Sequence, residues 1–443
     1  MVGERNKEIA LTLVTIGSAF LPSLIGVITG YISDQDGTLN GLKRRIGKRK
    51  PFMFIGVIIW VTSIMLRGWL YFADDINNTK NKLLFFLYAV VTTIGYIGYS
   101  IVSVPYNALM QDAFPKNSFG VVSGVSGFLS FVGSTLALTV MGYLYVHVPT
   151  IILCSIVSFI VLFTFLIVCL LVPDVAHVVV VKESQIKPSS RSQELVAVCR
   201  GMLNIFINWD FFWMFAARFI LMFTIQGILI YFLYYMKDVV GPRYHFLFFD
   251  HLITSAPEAQ AVFMLFVVLS SMVSSILGGV MSDRVGRKYV VCASAMTASL
   301  SLFVVILIGD NFSLLCMMGI PLGAALGSYN AADNALISEI VSVNREEACK
   351  KLGVYAVATD LSGVLASPVI GVMLFVGKTI EHKYSNFPVR NFGYVLTYGL
   401  CASVTFIASV MILFLNAGNT PKPKRYRMKK HKIIDEGHNN EKV

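Results

Sequence analysis

The sequence predicts an all-α membrane protein made of two pseudo-symmetric helical bundles, and three observations carry that reading. Of its 443 residues 56% are hydrophobic and only 14% charged, with a mean hydropathy of +0.71. A soluble domain is much less apolar and a disordered chain much more charged. The apolar residues fall into eleven long runs, each matching the roughly 20 residues that a helix needs to cross a bilayer core of about 30 Å. Finally, a charged hinge between two apolar runs occurs twice. It reads Gly30-Tyr-Ile-Ser-Asp34 followed by Arg44-Arg45-Ile46-Gly47-Lys48-Arg49-Lys50-Pro51-Phe52, and returns 249 positions later as Gly279-Val-Met-Ser-Asp283-Arg284-Val285-Gly286-Arg287-Lys288.

Taken in order, the predicted spans lie near 9–32, 52–72, 83–108, 119–146 and 149–172, then near 211–235, 258–281, 290–308, 312–338, 349–376 and 391–415. A second repeat fixes how the halves correspond: Asn107-Ala-Leu-x-x-Asp112 ends the third span and Asn334-Ala-Leu-x-x-Glu339 the ninth, 227 positions later. Span 1 therefore matches span 7, and span 3 matches span 9. The helix at 211–235 has no counterpart ahead of Ile9. This divides the chain into an N-terminal bundle of five helices (1–172), a polar central loop (173–210), a C-terminal bundle of six helices (211–415) and a basic tail (416–443).

Lys and Arg set the orientation, because positive loops stay cytoplasmic. Of the 36 basic residues, 25 fall in the loops after spans 1, 3, 5, 7 and 9 and in the tail, nine fall in the opposite loops, and Arg67 and Arg218 lie inside spans. Both hinges and the central loop are thus expected in the cytoplasm, with Met1 outside. The sequon Asn77-Asn78-Thr79 falls in a loop assigned to the outside.

Composition also excludes functions. The net charge of +11 comes from short basic runs flanking apolar segments, and without a nucleic-acid signature it reads as topology rather than a DNA or RNA partner. The seven cysteines are scattered, with no Cys-x-x-Cys pair, so neither a disulfide framework nor a metal site is expected. Catalytic signatures such as His-Glu-x-x-His, Gly-x-Ser-x-Gly or a phosphate loop do not occur. An enzyme is not expected, nor a cofactor. The first apolar run is too long for a cleavable signal core.

The repeated hinge resembles the signature of the major facilitator superfamily: Gly-x-x-x-Asp, a basic residue, x-Gly, then Arg or Lys, after the second and eighth of twelve helices. Its long first copy, ending Lys48-Arg49-Lys50-Pro51-Phe52, is similar to the branch holding sucrose–proton and glycoside–pentoside–hexuronide cation symporters. Two departures stand out. The first of the twelve helices has no match, and span 1 carries no acid where glycoside–cation symporters bind sodium. The resemblance implies two bundles rocking about a midplane cavity. From the mismatch between the halves, the chain is expected to be incomplete, lacking that first helix.

Charges inside spans are costly and mark functional candidates. Arg218, Asp333 and Asp360 lie at compatible depths, and the resemblance puts their helices side by side. An Arg–acid pair there is either a proton-coupled switch or a static ion pair; otherwise Asp333 or Arg218 snorkels to the cytoplasmic face. Arg67, next to Gly68-Trp69-Leu-Tyr71, reads as an interfacial anchor. Tyr96, Ser100, Ser103 and Asn107 share one helical face, which either lines the solute path or bonds a neighbouring helix; Tyr329, Asn330, Asn334, Gln226 and Tyr231 join them as cavity candidates. Small residues at every fourth position, such as Gly26 and Gly30 or Gly319, Gly323 and Gly327, read as close helix packing. For the hinges, Asp34 and Asp283 can attract the positive N-terminus of a helix across the bundle. The resemblance makes this a gate latch comprising Gly30, Asp34, Arg45, Gly47, Lys48 and Arg49, and Gly279, Asp283, Arg284, Gly286, Arg287 and Lys288.

The expected function is secondary transport of a small polar solute, a sugar, coupled to H+, by a monomer in the lipid bilayer of either the plasma membrane or an internal (vacuolar or lysosomal) membrane. The alternatives are a non-transporting receptor or accessory protein derived from a transporter, or a facilitator of another small metabolite.

Overall fold

The computed structural model describes residues 7–34, 47, 49–77, 82–137, 144, 148–172, 204–241, 244–246, 249–253, 255–342, 347–383 and 391–417. The long helices among them are α1 (Lys7–Asp34), α2 (Lys50–Asn77), α3 (Lys82–Ala113), α4 (Phe119–Leu136), α5 (Thr150–Leu171), α6 (Trp209–Tyr235), α7 (Ala256–Val285), α8 (Arg287–Ile308), α9 (Phe312–Val341), α10 (Ala348–Lys383) and α11 (Phe392–Leu413). Ten helices are long and apolar enough to cross a membrane, and α1 adds the apolar stretch Phe20–Asp34. The chain is an integral, multi-pass membrane protein.

Several helices outrun the apolar runs that predicted them. α10 continues to Lys383 rather than 376, and α3 to Ala113 rather than 108. Hydropathy marks only the part in hydrocarbon, whereas backbone hydrogen bonding carries on through the interface until a breaker stops it. The reading of uninterrupted helix needs one addition: an antiparallel ribbon, β1 (Tyr244–Phe246) with β2 (Phe249–Ile253), joins α6 to α7. Strands this short leave no usable alternation signal. Helix starts follow local chemistry. The Asn208 side chain accepts from the amides of Asp210 and Phe211 to cap α6, and Asn311 accepts from Leu314 N to cap α9. Gly286 (φ 119°) makes the one-residue turn from α7 to α8, and Gly47 (φ 111°) precedes α2; only glycine takes that conformation without strain.

Large apolar side chains such as Phe159, Leu170 and Leu307 are 69%, 75% and 84% exposed, as a lipid-facing surface requires. Contacts between helices use small residues instead. A side chain at Gly323 would collide with the Val267 carbonyl, and one at Gly327 with Ser271 O, so α9 and α7 meet backbone to backbone. α1 packs along α10, and α7 along α4; each seam joins one half to the other. In the second seam Gly120, Gly124 and Gly127 abut α7, whereas Gly133, on the other side of α4, has no described atom within 4 Å of a Cβ placed there. The halves touch at the hinge end, and the α1–α10 contact runs inward as far as Ser23 and Asp360. α6 packs against α10 and α11; among the described residues no helix fills the matching place against α4 and α5.

Candidate functional site

At the hinge side two equivalent clusters form. Asp34, the last residue of α1, accepts from Arg49 Nη1 at 2.6 Å, from Lys350 N at 2.7 Å and from Cys349 N at 3.4 Å. Those amides open α10, where the helix leaves donors unpaired and carries partial positive charge. Asp283, near the end of α7, accepts from Gly120 N and Val121 N, both at 3.0 Å, in the first turn of α4, and from Arg287 Nη2 at 3.0 Å. Each arginine bonds a second acid: Arg49 Nε lies 3.4 Å from Asp112, and Arg287 Nη1 lies 2.9 Å from Glu339. Burial pushes the Arg49 guanidinium down, but Cys349, Asp34 and Asp112 around it outweigh that and hold it above its ordinary value. Lys50 Nζ donates to Cys169 O at the end of α5, and Lys288 Nζ to Leu415 O just past α11. Gly30 lies so close to Cys349 that a Cβ there would sit 2.6 Å from its carbonyl oxygen. Arg284 is exposed, with no ion pair among the described residues. Arg45 and Lys48 fall outside the described residues. Asp112 and Glu339 were not among the expected hinge residues, although the repeated Asn-Ala-Leu-x-x-acid stretch contains both.

Just inside the hinges lies a cavity of about 90 Å³, lined by Asn107, Met110, Gln111, Ser123, Ser126, Arg218, Asn334, Ile337, Ser338, Leu352, Tyr355 and Ala356. Its composition follows the internal repeat. Asn107 and Asn334, Met110 and Ile337, and Gln111 and Ser338 are each 227 positions apart, while Ser123 and Leu352, and Ser126 and Tyr355, are each 229 apart. Equivalent positions facing one space put it on the pseudo-two-fold axis. Arg218 comes from α6, a helix without a counterpart among the described residues, and breaks that symmetry. Gln111 Nε2 donates to Ser338 Oγ at 3.1 Å across the axis. Gln111 Oε1 and Ser123 Oγ are buried with no partner among the described residues; buried polar atoms are seldom left so. Gln111, Ser123 and Tyr355 were not predicted for the cavity.

Arg218 pairs with Asp333 and not with Asp360. Its Nη1 contacts Asp333 Oδ2, its Nε donates to Thr359 Oγ1 at 2.8 Å, and its guanidinium lies 4.5 Å above the Tyr355 ring. The other Asp333 oxygen accepts from Tyr355 and Tyr329 at 2.8 and 3.1 Å. Asp333 is 1% exposed, so its charge is compensated by one cation and two hydroxyls. Asp360 instead accepts from Ser23 Oγ at 2.5 Å.

The remaining candidates disperse. Tyr96 is 47% exposed, Ser100 packs against Gly26 of α1, and Ser103 donates to the Ser100 carbonyl of its own helix. Of that predicted stripe, Asn107 alone lines this cavity. Gln226 donates to Thr359 O at 3.0 Å and Tyr231 to Ser367 O at 2.9 Å, so both tie α6 to α10. Asn330 is partly exposed. Arg67 differs from a free interfacial anchor: its Nε is buried, near Gly95 of α3.

A family model described as the Major Facilitator Superfamily matches residues 6–249 and 244–436. No curated protein matches the chain by sequence. Among solved structures, a variant of the E. coli fucose:proton symporter FucP is 16% identical, covering 91% of this chain and 98% of its own, with a TM-score of 0.58. A double-Trp mutant of XylE is 14% identical, covering 95% and 89%, with a TM-score of 0.63. A bacterial homologue of the iron transporter ferroportin, in an outward-facing state, is 13% identical, covering 92% and 89%, with a TM-score of 0.60. At these identities the likeness is one of fold.

Proposed function

Since the chain belongs to the Major Facilitator Superfamily of transporters, we propose that it moves a small polar solute, a sugar, by proton-coupled alternating access. The observation that carries the reading is the axial cavity. It offers two buried polar atoms without a partner among the described residues, Gln111 Oε1 and Ser123 Oγ, two carboxamides at symmetry-equivalent positions, Asn107 and Asn334, and the Tyr355 ring. Amide and hydroxyl groups beside an aromatic face suit a solute rich in hydroxyls, which can donate to Gln111 Oε1.

Alternating access follows from the paired seams. With the basic hinges in the cytoplasm, the two acid-to-helix latches would hold that side shut. Breaking both latches and closing the far end would present the same axial residues to the cytoplasm. That one neighbour is a fucose:proton symporter agrees with a sugar, but the lining residues are the argument.

The test is uptake by purified protein in liposomes, using a panel of radiolabelled monosaccharides and disaccharides with and without an inward proton gradient. Gradient-driven accumulation of one sugar class is expected. Binding without flux would favour a receptor, and flux that only equilibrates would favour a facilitator; either result overturns the proposal.

A further inference from the structure

The two seams between the halves are built from equivalent parts. Gly30 and Gly279, and Gly26 and Ser275, are 249 positions apart on α1 and α7, while Gly353 and Gly124 are 229 apart on α10 and α4. In both seams these small residues meet across the halves. A side chain at Gly353 would touch Val27 and Gly26, and one at Gly124 would touch Ser275 and Gly279. In both, a terminal acid caps the facing helix. The correspondence fails one step further from the hinge. The α1–α10 seam places Ser23 against Asp360, with Oγ to Oδ2 at 2.5 Å. The matching positions by the same offsets are Met272 and Phe131. Both are apolar, so the carboxylate is not among the features that the two seams share.

The surroundings of Asp360 differ from those of Asp333. Asp333 has Arg218, Tyr329 and Tyr355 as partners. Asp360, among the described residues, has the Ser23 hydroxyl and no ion pair. The charged and titratable groups facing it are Tyr99 from α3 and Arg218 from α6; α1 presents Ser23, the Asp333 carboxylate of α9 is bound to Arg218, and α11 adds none. Arg218 is tied to the neighbouring residue, Thr359. An unpaired carboxylate inside a membrane bundle is costly and calls for a purpose.

We infer that Asp360 is the group that binds and releases the coupled proton, and that Ser23 transmits its charge state across the seam to the other half. This deepens the transporter reading and rests on it. Ionised, Asp360 accepts from Ser23 and is attracted by Arg218. Protonated, it loses the attraction to Arg218 and weakens the tie between α1 and α10. One carboxylate with one hydroxyl suffices for a proton, whereas hard divalent cations gather roughly six or more oxygens.

The experiment is a distance measurement between spin labels at Leu83 and Phe375, at the far ends of α3 and α10, in lipid nanodiscs across a pH series. Wild type should shift between two distance populations as pH changes. Asp360→Asn should stay at the low-pH population at every pH. Ser23→Ala, which keeps the acid but removes a donor to its charged form, should move the transition to higher pH, and this variant decides the matter if Asp360→Asn does not fold. Because no solute is needed, the result is independent of the uptake assay: a pH-locked Asp360→Asn with no sugar flux in wild type would spare this inference in its structural part and sink the sugar reading. An Asp360→Asn that shifts with pH like wild type, a wild type that does not shift, or a Ser23→Ala transition that stays put would overturn it. A wild type that shifts with sodium at constant pH instead would replace the proton by a metal cation and overturn it as well.

Discussion

Gln111 and Ser338 hydrogen-bond to each other across the two halves at 3.1 Å from equivalent positions of the internal repeat, 227 residues apart. A contact between a position and its own symmetry mate can lie only at the axis, so this bond marks the pseudo-two-fold axis between the halves. It also closes the hinge-side end of the cavity that Asn107 and Asn334 line.

Gln111→Leu should therefore loosen closure without disturbing the latches further out. A neutral hydrogen bond is worth about 1 kcal/mol net, or roughly a fivefold shift of a two-state equilibrium. Reaction of an engineered cysteine in the cavity with a reagent added from the cytoplasmic side should rise by about that factor. An unchanged rate would mean that the bond follows closure and does not help to set it.

The hinge acids should matter more. Asp34→Asn removes the charge that holds two α10 amides and Arg49 together, and Asp283→Asn does the same for α4 and Arg287. Hydrogen bonds to charged groups contribute about 1.5 to 3 kcal/mol, so each variant should lower uptake per molecule at the membrane by roughly 10- to 100-fold while inserting normally. Wild-type uptake in both variants would contradict the latch.

The hinges were legible because a charged cluster between apolar runs stands out, and because it recurs. What the sequence could not show was how the clusters close. Asp112 and Glu339 lie far along the chain from Arg49 and Arg287, and only the fold brings a helix end against each arginine. Helical periodicity placed Tyr96, Ser100, Ser103 and Asn107 on one face, but it cannot tell which neighbour covers each turn of that face. α1 covers Ser100, and the axis is reached only at Asn107. Likewise, the choice of Asp333 over Asp360 as the partner of Arg218 depends on a rotation of α6 relative to α9 and α10, which hydropathy does not encode.

Glycine contacts make a sharp positional prediction. A Cβ at Gly279 would sit 2.4 Å from the Gly120 carbonyl oxygen, and one at Gly120 2.4 Å from Gly279 O, both backbone atoms that cannot step aside. At Gly133 on the same helix α4 no atom of the described residues lies within 4 Å. Gly279→Val and Gly120→Val should therefore bias the protein away from the hinge-closed state, seen as cytoplasmic accessibility of the cavity, and Gly133→Val should leave it as in wild type. Equal behaviour of all three variants would show that this seam does not govern closure.

The ion pair at the axis offers the last test, because its geometry separates two kinds of loss. Asp333 is surrounded by Arg218, Tyr329 and Tyr355, and Arg218 is held besides by Thr359. Removing one member of a buried pair leaves the other charge uncompensated, typically at a cost of about 3 to 5 kcal/mol, whereas removing both can be close to neutral. Asp333→Asn and Arg218→Gln should each lower the thermal unfolding temperature in detergent clearly, and the double variant should recover most of that loss. Uptake should follow a different course. Arg218 lines the cavity from a helix without a repeat partner among the described residues, so the double variant should regain stability but not transport. If it regained both, Arg218 would be a structural residue; if the single losses simply added, the two side chains would not act as a pair.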